Sequence, residues 1–339
     1  MSSLNKISLR NFRSYEKADF QLGGRTLVLG ENGSGKSNLV EAIYLLATGK
    51  SFRAERDAEM IRNDTEFSIL NFQFRSIDRA PRANSSEIYD AQITVTDRKR
   101  FEINGVPRRQ VDFVGLMRAV MFGPGDMELV TGSPSIRRRY LDFVISQADR
   151  EYRRSLISYE KGVRQRNKLL DLIRDNLATR NQLYFWDKLL IKNGEYMSLK
   201  RGEFLAVTGF VYDKSVISES RLGQYEQEEV AAGATLVGPH RDDFILEYKS
   251  GRAGEYKRDV SKYGSRGEQR MAVWWLKQCE MKYLGGEPVL LLDDIFSELD
   301  HKHRGEVVEF VKKYPGQVVI TSADEHLVPV EKDWTIIRM

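Results

Sequence analysis

Gly30-Glu31-Asn32-Gly33-Ser34-Gly35-Lys36-Ser37 fits the pattern G-x-x-x-x-G-K-[ST], and what flanks it decides how the chain folds. Residues 26–29 before it form a short apolar strand, and residues 37–47 after it carry the apolar spacing of a helix. A strand, a glycine-rich loop and a helix in that order make a phosphate cradle. The glycines let the backbone curl so that successive N–H groups face a polyphosphate, and the helix N-terminus adds its positive dipole end. The candidate ATP-binding residues are therefore this octapeptide and the adjoining Asn38. Within it, Lys36 reaches the β- and γ-phosphates as a candidate catalytic residue, and Ser37 is a candidate Mg²⁺ ligand.

Outward from the loop, residues 4–10 form a second strand, joined to 26–29 through Gly23-Gly24. From residue 66 to about 106 apolar residues alternate, as in Phe67 with Ile69, Ile93 with Val95 and Phe101 with Ile103, and Asn104-Gly105 is a hairpin turn. That pattern predicts an antiparallel β layer, interrupted at 79–86 by a stretch of loop composition. From 135 to about 220 the spacing lengthens to three and four, through Ile136, Tyr140 and Val144 and then Tyr152, Leu156, Tyr159 and Val163, so this segment is helical. Strands return at 244–248, 289–292 and 318–321, with a helix at 267–284. The order predicts an α/β protein whose discontinuous head, 1–130 and 232–339, carries the antiparallel β layer and an inserted helical domain, 131–231.

Val289-Leu290-Leu291-Leu292-Asp293-Asp294 is apolar on both faces, as a buried parallel strand must be. It closes on two acids at the carboxyl end, where an open α/β sheet presents its ligand groups. Beside a phosphate loop, Asp293 joins Ser37 as a candidate Mg²⁺ ligand, and Asp294 is the second candidate catalytic residue, polarising the attacking water. Without the loop the same pair would be a turn or a helix N-cap. Tyr263-Gly264-Ser265-Arg266-Gly267-Glu268 opens a helix with a Ser-x-Gly segment whose hydroxyl and free N–H groups can donate to phosphate. The same letters also spell a capping box, with Ser265 at the cap and Glu268 three residues on.

Composition bounds the rest. A chain of 339 residues, 41% hydrophobic and 30% charged, fits a globular protein of one or two domains. Its longest apolar runs are far short of the ~20 residues a membrane helix needs. The opening residues lack the apolar core and cleavage site of a secretory signal, and a lone Cys279 forms no internal disulfide, so a cytoplasmic protein is expected. The net charge is only +4, with a pI near 8.9, which leaves room for a local basic face. Between residues 137 and 168, ten Lys and Arg stand against four acids, enough for salt-sensitive, sequence-tolerant contacts to nucleic-acid phosphates. Arg137, Arg138, Arg139, Arg153 and Arg154 are the candidate DNA contacts, although Arg138 and Arg139 read equally as ion-pair partners of Asp142. Residues 238–243 (GPHRDD) read either as a lid near the nucleotide or as a turn stabilised by its own aspartates.

A phosphate loop, Ser-x-Gly-Glu, an apolar strand closing on Asp-Asp, and then Ser297-Glu298-Leu299-Asp300 resemble, in that order, the ATP-binding-cassette ATPases. The separation of Lys36 from Ser265 is longer than in a transporter ATPase and far shorter than the coiled-coil insertion of the structural-maintenance-of-chromosomes (SMC) heads. Within the group the chain resembles the RecF family over essentially its full length. The resemblance rests on Asn11-Phe12-Arg13-x-Tyr15, Glu41-Ala42-Ile43-Tyr44-Leu45-Leu46, Ser51-Phe52-Arg53, Gly132-Ser133-Pro134, Arg137-Arg138-Arg139-Tyr140-Leu141-Asp142, Gln165-Arg166-Asn167-x-Leu169-Leu170 and the GPHRDD stretch, with the Asp-Asp and Ser-x-Leu-Asp segments above.

The resemblance implies an ABC-type P-loop ATPase head that uses ATP and Mg²⁺. It further implies an ATP-dependent homodimer in which Ser265, Gly267 and Glu268 of one subunit contact ATP held by the other. Gapped, single-stranded or double-stranded DNA is the implied partner, with RecR, RecO and, indirectly, RecA, in repair, replication, recombination and the SOS response. The resemblance also implies DNA-stimulated hydrolysis, and departures from the pattern point to its being slow: no glutamine near residues 122–126, Ser322 at the switch-histidine position with His326 a few residues on, and Arg266 in place of the usual Gln. A transporter ATPase subunit, a cohesin-type head and a nuclease-fused head are the alternatives. Against them stand the inserted domain, the missing heptads and the lack of a further metal-ligand cluster.

Overall fold

The computed structural model describes residues 3–76, 87–250, 256–297, 299–328 and 330–339; the loop expected at 79–86 and Glu298 lie outside the described residues. Two compact units result, the first Met1–Asp126 with Val273–Met339 and the second Met127–Ala272. The first opens with β1 (Ser3–Phe12), β2 (Tyr15–Gln21), β3 (Arg25–Leu29) and α1 (Lys36–Thr48). It continues through β4 (Ser68–Ser76), β5 (Glu87–Val95), β6 (Lys99–Ile103), β7 (Val106–Arg108), α2 (Gln110–Phe113) and β8 (Ala119–Phe122). The second unit holds α3 (Glu128–Thr131), α4 (Pro134–Ala148), α5 (Arg150–Arg174), α6 (Tyr184–Thr208), β9 (Val211–Asp213), α7 (Glu219–Gln224) and α8 (Glu226–Ala232). Next come β10 (Asp243–Ile245), β11 (Glu247–Ser250), β12 (Tyr256–Asp259) and α9 (Val260–Tyr263). Helix α10 (Arg266–Leu284) leads back to the first unit, which closes with β13 (Val289–Asp293), α11 (His301–Lys313), β14 (Val318–Ser322) and β15 (Thr335–Arg338).

In the first unit a parallel sheet of order β15-β3-β14-β13-β8 is the core. Its inner strands β14 and β13 are continuous apolar runs because both faces are covered, and Leu290–Leu292 and Val318–Val319 have no exposed surface. β14 lies between β3 and β13, so the loop after β3 and the acids that end β13 emerge at the same carboxyl edge. An antiparallel sheet of order β2-β1-β4-β5-β6-β7 forms the expected β layer. Asn104 and Gly105, with φ of 50° and 72°, make its tight turn. On β4 the buried face is Leu70, Phe72 and Phe74, one residue out of phase with Phe67 and Ile69. Ser68 takes the inward position and its hydroxyl donates to Arg10 O. Buried Gln317 ties the two sheets together by accepting from Leu4 N at 2.7 Å and donating to Leu4 O at 2.8 Å.

In the second unit α5 and α6 pack as a long antiparallel pair around Tyr152, Tyr159, Leu190, Met197 and Phe204. Gly162 permits the approach: a Cβ there would lie 2.7 Å from Leu189. Between the helices Arg201 is buried and needs partners for every donor. It donates to Asp142 at 2.8 Å, Asp242 at 2.9 Å, Tyr152 Oη at 3.0 Å and Pro239 O at 2.7 Å. Arg137 grips Asp243 through two bonds of 2.6 and 2.9 Å, and Arg138 donates to Asp242 O. The GPHRDD segment is thus a turn held by arginines from α4 and α6.

This network moves the unit boundary. Helix and strand patterning puts the return to the head at residue 232, whereas the contacts put it at 273. β10 pairs with β9, both aspartates bind helical arginines, and Val260 N donates to Leu246 O, so residues 232–272 belong with the helices.

His240 sits in the same turn, its Nδ1 2.8 Å from Tyr159 Oη and its Nε2 2.9 Å from Thr235 O. Burial, with the nearby arginines, pushes its pKa down to about 4, so the ring is neutral, donates to Thr235 and accepts from Tyr159. A depressed histidine contributes stability that is complete above its unfolded pKa near 6.5 and is lost as pH falls toward 4. Thermal melts are expected to show a destabilisation of about 2 kcal/mol from this group between pH 7.5 and pH 5. His240→Gln should flatten that part of the profile; an identical pH dependence in the variant would place the acid sensitivity elsewhere.

Candidate nucleotide-binding site

Two glycines of the loop have positive φ, Gly33 at 89° and Gly35 at 109°, and α1 starts directly after Gly35. Tyr15 Oη donates to Gly35 O at 2.9 Å, and a Cβ on Gly35 would lie 2.9 Å from that hydroxyl. Lys36 Nζ donates to Gly30 O at 2.7 Å and Glu31 O at 2.9 Å, which holds the ammonium within the loop. Ser34 Oγ is buried without a hydrogen-bond partner, an orphan that a phosphate oxygen would satisfy.

Across the carboxyl edge, Asp293 Oδ1 accepts from Ser37 Oγ at 3.1 Å and Thr321 Oγ1 at 2.7 Å. Hard oxygen donors from a hydroxyl and one carboxylate fit Mg²⁺, which takes one or two protein ligands and fills its shell with phosphate and water. Among the described residues no larger His, Cys, Asp and Glu cluster competes for a metal. Asp294 has left-handed backbone, φ 51°, and its N–H donates to Thr321 O and Oγ1 at 3.2 and 3.0 Å. The turn separates the two acids: Asp293 sits in a hydroxyl cradle, and Asp294 is re-aimed beside it.

Three motif segments converge in a way the letters alone do not reveal. Arg13, itself at φ 54°, grips the fully buried Glu41 through Nε at 2.9 Å and Nη2 at 2.7 Å. Ser51 donates to the same carboxylate. Arg53 reaches Asn38 Oδ1 at 3.1 Å. An open cavity of about 530 Å³ adjoins this knot at the first turn of α1, lined by Arg13, Ser14, Asn38, Arg62, Asn63 and Asp64 among others. An arginine paired with a mid-helix glutamate was the available signal, but their partnership across 28 residues is visible only in three dimensions.

The departures from the pattern are filled structurally. Asp126 accepts from Gly123 N at 2.9 Å and pairs at 2.8 Å with buried Lys277, whose pKa burial would lower but Asp126 and Glu280 hold above its ordinary value. Ser322 Oγ is engaged by Asp324 O, and His326 is exposed. Ser265 and Glu268 form the capping box, with Ser265 N to Glu268 Oε2 at 2.8 Å and Glu268 N to Ser265 Oγ at 3.3 Å. Ser265 and Gly267 belong to the second unit, the phosphate loop to the first. Of the candidate DNA contacts, Arg137 and Arg138 are engaged as described, and Arg153 is buried and donates to Ser146 O. Arg139, over the Phe143 ring at 5.2 Å, and Arg154, 3.4 Å from Glu151, are exposed.

The DNA replication and repair protein RecF of Thermomicrobium roseum is 33% identical across 99% of this chain and 98% of its own. The chain belongs to the RecF family. The RecF/RecN/SMC N terminal domain model matches residues 3–339. RecF of Moorella thermoacetica is 34% identical, covering 96% of this chain and 91% of its own. A structure of the recombination mediator RecF with ATP superposes with a TM-score of 0.85 at 28% identity, covering 97% of this chain and 94% of that one. An SMC head bound to the C-winged helix domain of ScpA shares the fold, with a TM-score of 0.52 at 17% identity over 96% of this chain and 90% of that one. RecF membership makes this an ATP-binding DNA repair protein of the ABC/SMC-like head class, and no described helix is long and apolar enough to cross a membrane.

Proposed function

We propose that the chain is an ATP-dependent recombination mediator that dimerises on ATP, clamps gapped or single-strand/double-strand DNA and assists RecA loading with RecO and RecR in the bacterial cytoplasm. The observation that carries the ATP step is the 3.1 Å bond between Ser37 and Asp293, which joins the phosphate loop to the acid-ended strand. Lys36 transfers its ammonium from the Gly30 and Glu31 carbonyls to the β- and γ-phosphates, and the loop N–H groups orient the chain of phosphates. Ser37 and Asp293 hold Mg²⁺, which when bound neutralises phosphate charge. Asp294 aims the attacking water, while Ser265, Gly267 and Glu268 of a second copy close the site. With Ser322 where a switch histidine is expected, hydrolysis is slow. Chromatography with light scattering, with and without ATP and a gapped duplex, tests the reading; a chain that stays monomeric and free of DNA in every condition rules it out.

Asp294→Asn should retain ATP and Mg²⁺ binding, because Asp293 and Ser37 remain, yet hydrolyse roughly 10²–10⁴ times more slowly. The expected product is a persistent ATP-bound dimer on DNA. Asparagine tolerates the same left-handed backbone, so the fold is kept. Wild-type turnover in phosphate-release assays would transfer the role to Glu298 or His326.

A further inference from the structure

We infer that the outward face of α5 is the track on which the phosphate backbone of duplex DNA lies. Arg150, Arg154, Ile157, Lys161, Arg164 and Lys168 recur at spacings of four and three, and all six are exposed. They form one stripe opposite the buried face of Tyr152, Leu156, Tyr159 and Leu170. At about 1.5 Å per residue the five cations span roughly 27 Å, close to eight base pairs of duplex. The acids of the helix, Glu151, Glu160 and Asp171, stand about 60–100° round from the stripe's axis, so its centre line is wholly basic apart from Ile157.

Two further observations favour a polyanion. The side chains of Lys161, Arg164 and Lys168 make no hydrogen bond or ion pair with any described residue, whereas those of Arg137, Arg166 and Arg201 of the same unit are all paired. Uncompensated cations held in line on a rigid helix complement a regularly charged rod. The stripe also carries no aromatic ring, so it offers single-stranded bases nothing to stack on, and the duplex backbone is the matching partner. The stripe therefore replaces Arg137, Arg138 and Arg153 as the contact surface and keeps Arg154.

This assignment rests on the DNA-binding reading above, and the test separates the two. Fluorescence anisotropy of a labelled 30-base-pair duplex would be measured across a salt series for the wild-type chain, the triple variant Lys161→Gln/Arg164→Gln/Lys168→Gln, and the charge-keeping variant Lys161→Arg/Arg164→Lys/Lys168→Arg. All with ATP, these side chains being clear of the core. Expected is a fall of about 2–3 in the slope of log K against log salt for the neutral variant, roughly 100-fold weaker binding at 0.1 M salt, and a wild-type slope for the charge-keeping one. ATP affinity should be the same in all three. Wild-type binding with an unchanged slope in the neutral variant overturns the track, whether the cations then serve an acidic protein or no partner. A wild-type chain that binds no duplex at all overturns the DNA-binding reading itself.

Discussion

Replacing Lys36 by alanine is expected to weaken ATP binding by about 100-fold or more and to abolish the ATP-dependent dimer. The ammonium lies within the loop on the Gly30 and Glu31 carbonyls, beside the proposed place of the β- and γ-phosphates. A charge-assisted bond to phosphate contributes about 1.5–3 kcal/mol, and its loss leaves phosphate charge uncompensated as well. Equilibrium binding of a fluorescent ATP analogue reads the first effect and light scattering the second. A thermal melt keeps the result interpretable, because alanine also frees two carbonyls from their donor. Unchanged nucleotide affinity would count decisively against the phosphate-loop assignment.

Ser265→Arg should have an equally large effect with the opposite signature: ATP binding by the monomer nearly intact, and dimerisation and hydrolysis lost together. In the proposed two-fold dimer each site would take Lys36 from one chain and Ser265 from its partner, so bulk at Ser265 would block closure without touching the loop. The structure also shows the competing role directly, since Ser265 and Glu268 cap α10. If capping were the whole of it, the substitution would cost about 0.5–2 kcal/mol of stability and leave assembly alone. Mixing Ser265→Arg with Lys36→Ala chains separates the two roles. The mixed dimer holds one complete site, and partial recovery of hydrolysis supports a shared site. A Ser265→Arg chain that alone dimerises on ATP and hydrolyses it normally removes the composite site.

The phosphate loop and the Asp293 strand were legible because their chemistry is local: a glycine pattern between a strand and a helix, and an apolar run with acids at its end. The hairpin at Asn104-Gly105 was legible for the same reason, two residues being enough to demand positive φ. What escaped depends on partners distant in the chain. Counting charges between 137 and 168 cannot distinguish Arg153 and Arg166, which face inward, from Lys161 and Arg164, which face water. Only the phase of the helix sorts them, and that phase is set by Tyr152 and Tyr159 on the opposite side. The unit boundary failed similarly. Residues 244–248 have the composition of a returning strand, yet β10 finds its partner in β9, and the preceding aspartates are drawn to Arg137 and Arg201.

With Asp294 aiming the water as proposed, its left-handed turn puts foldability and chemistry in conflict at one position. Glycine would occupy φ 51° without strain, and asparagine nearly so, while an aspartate is kept there against a local backbone preference. A search for thermostable variants scored by melting temperature alone would drift toward those residues and return well-folded proteins stripped of the acid. Selection for turnover would push the other way if Asp294 aims the water as proposed.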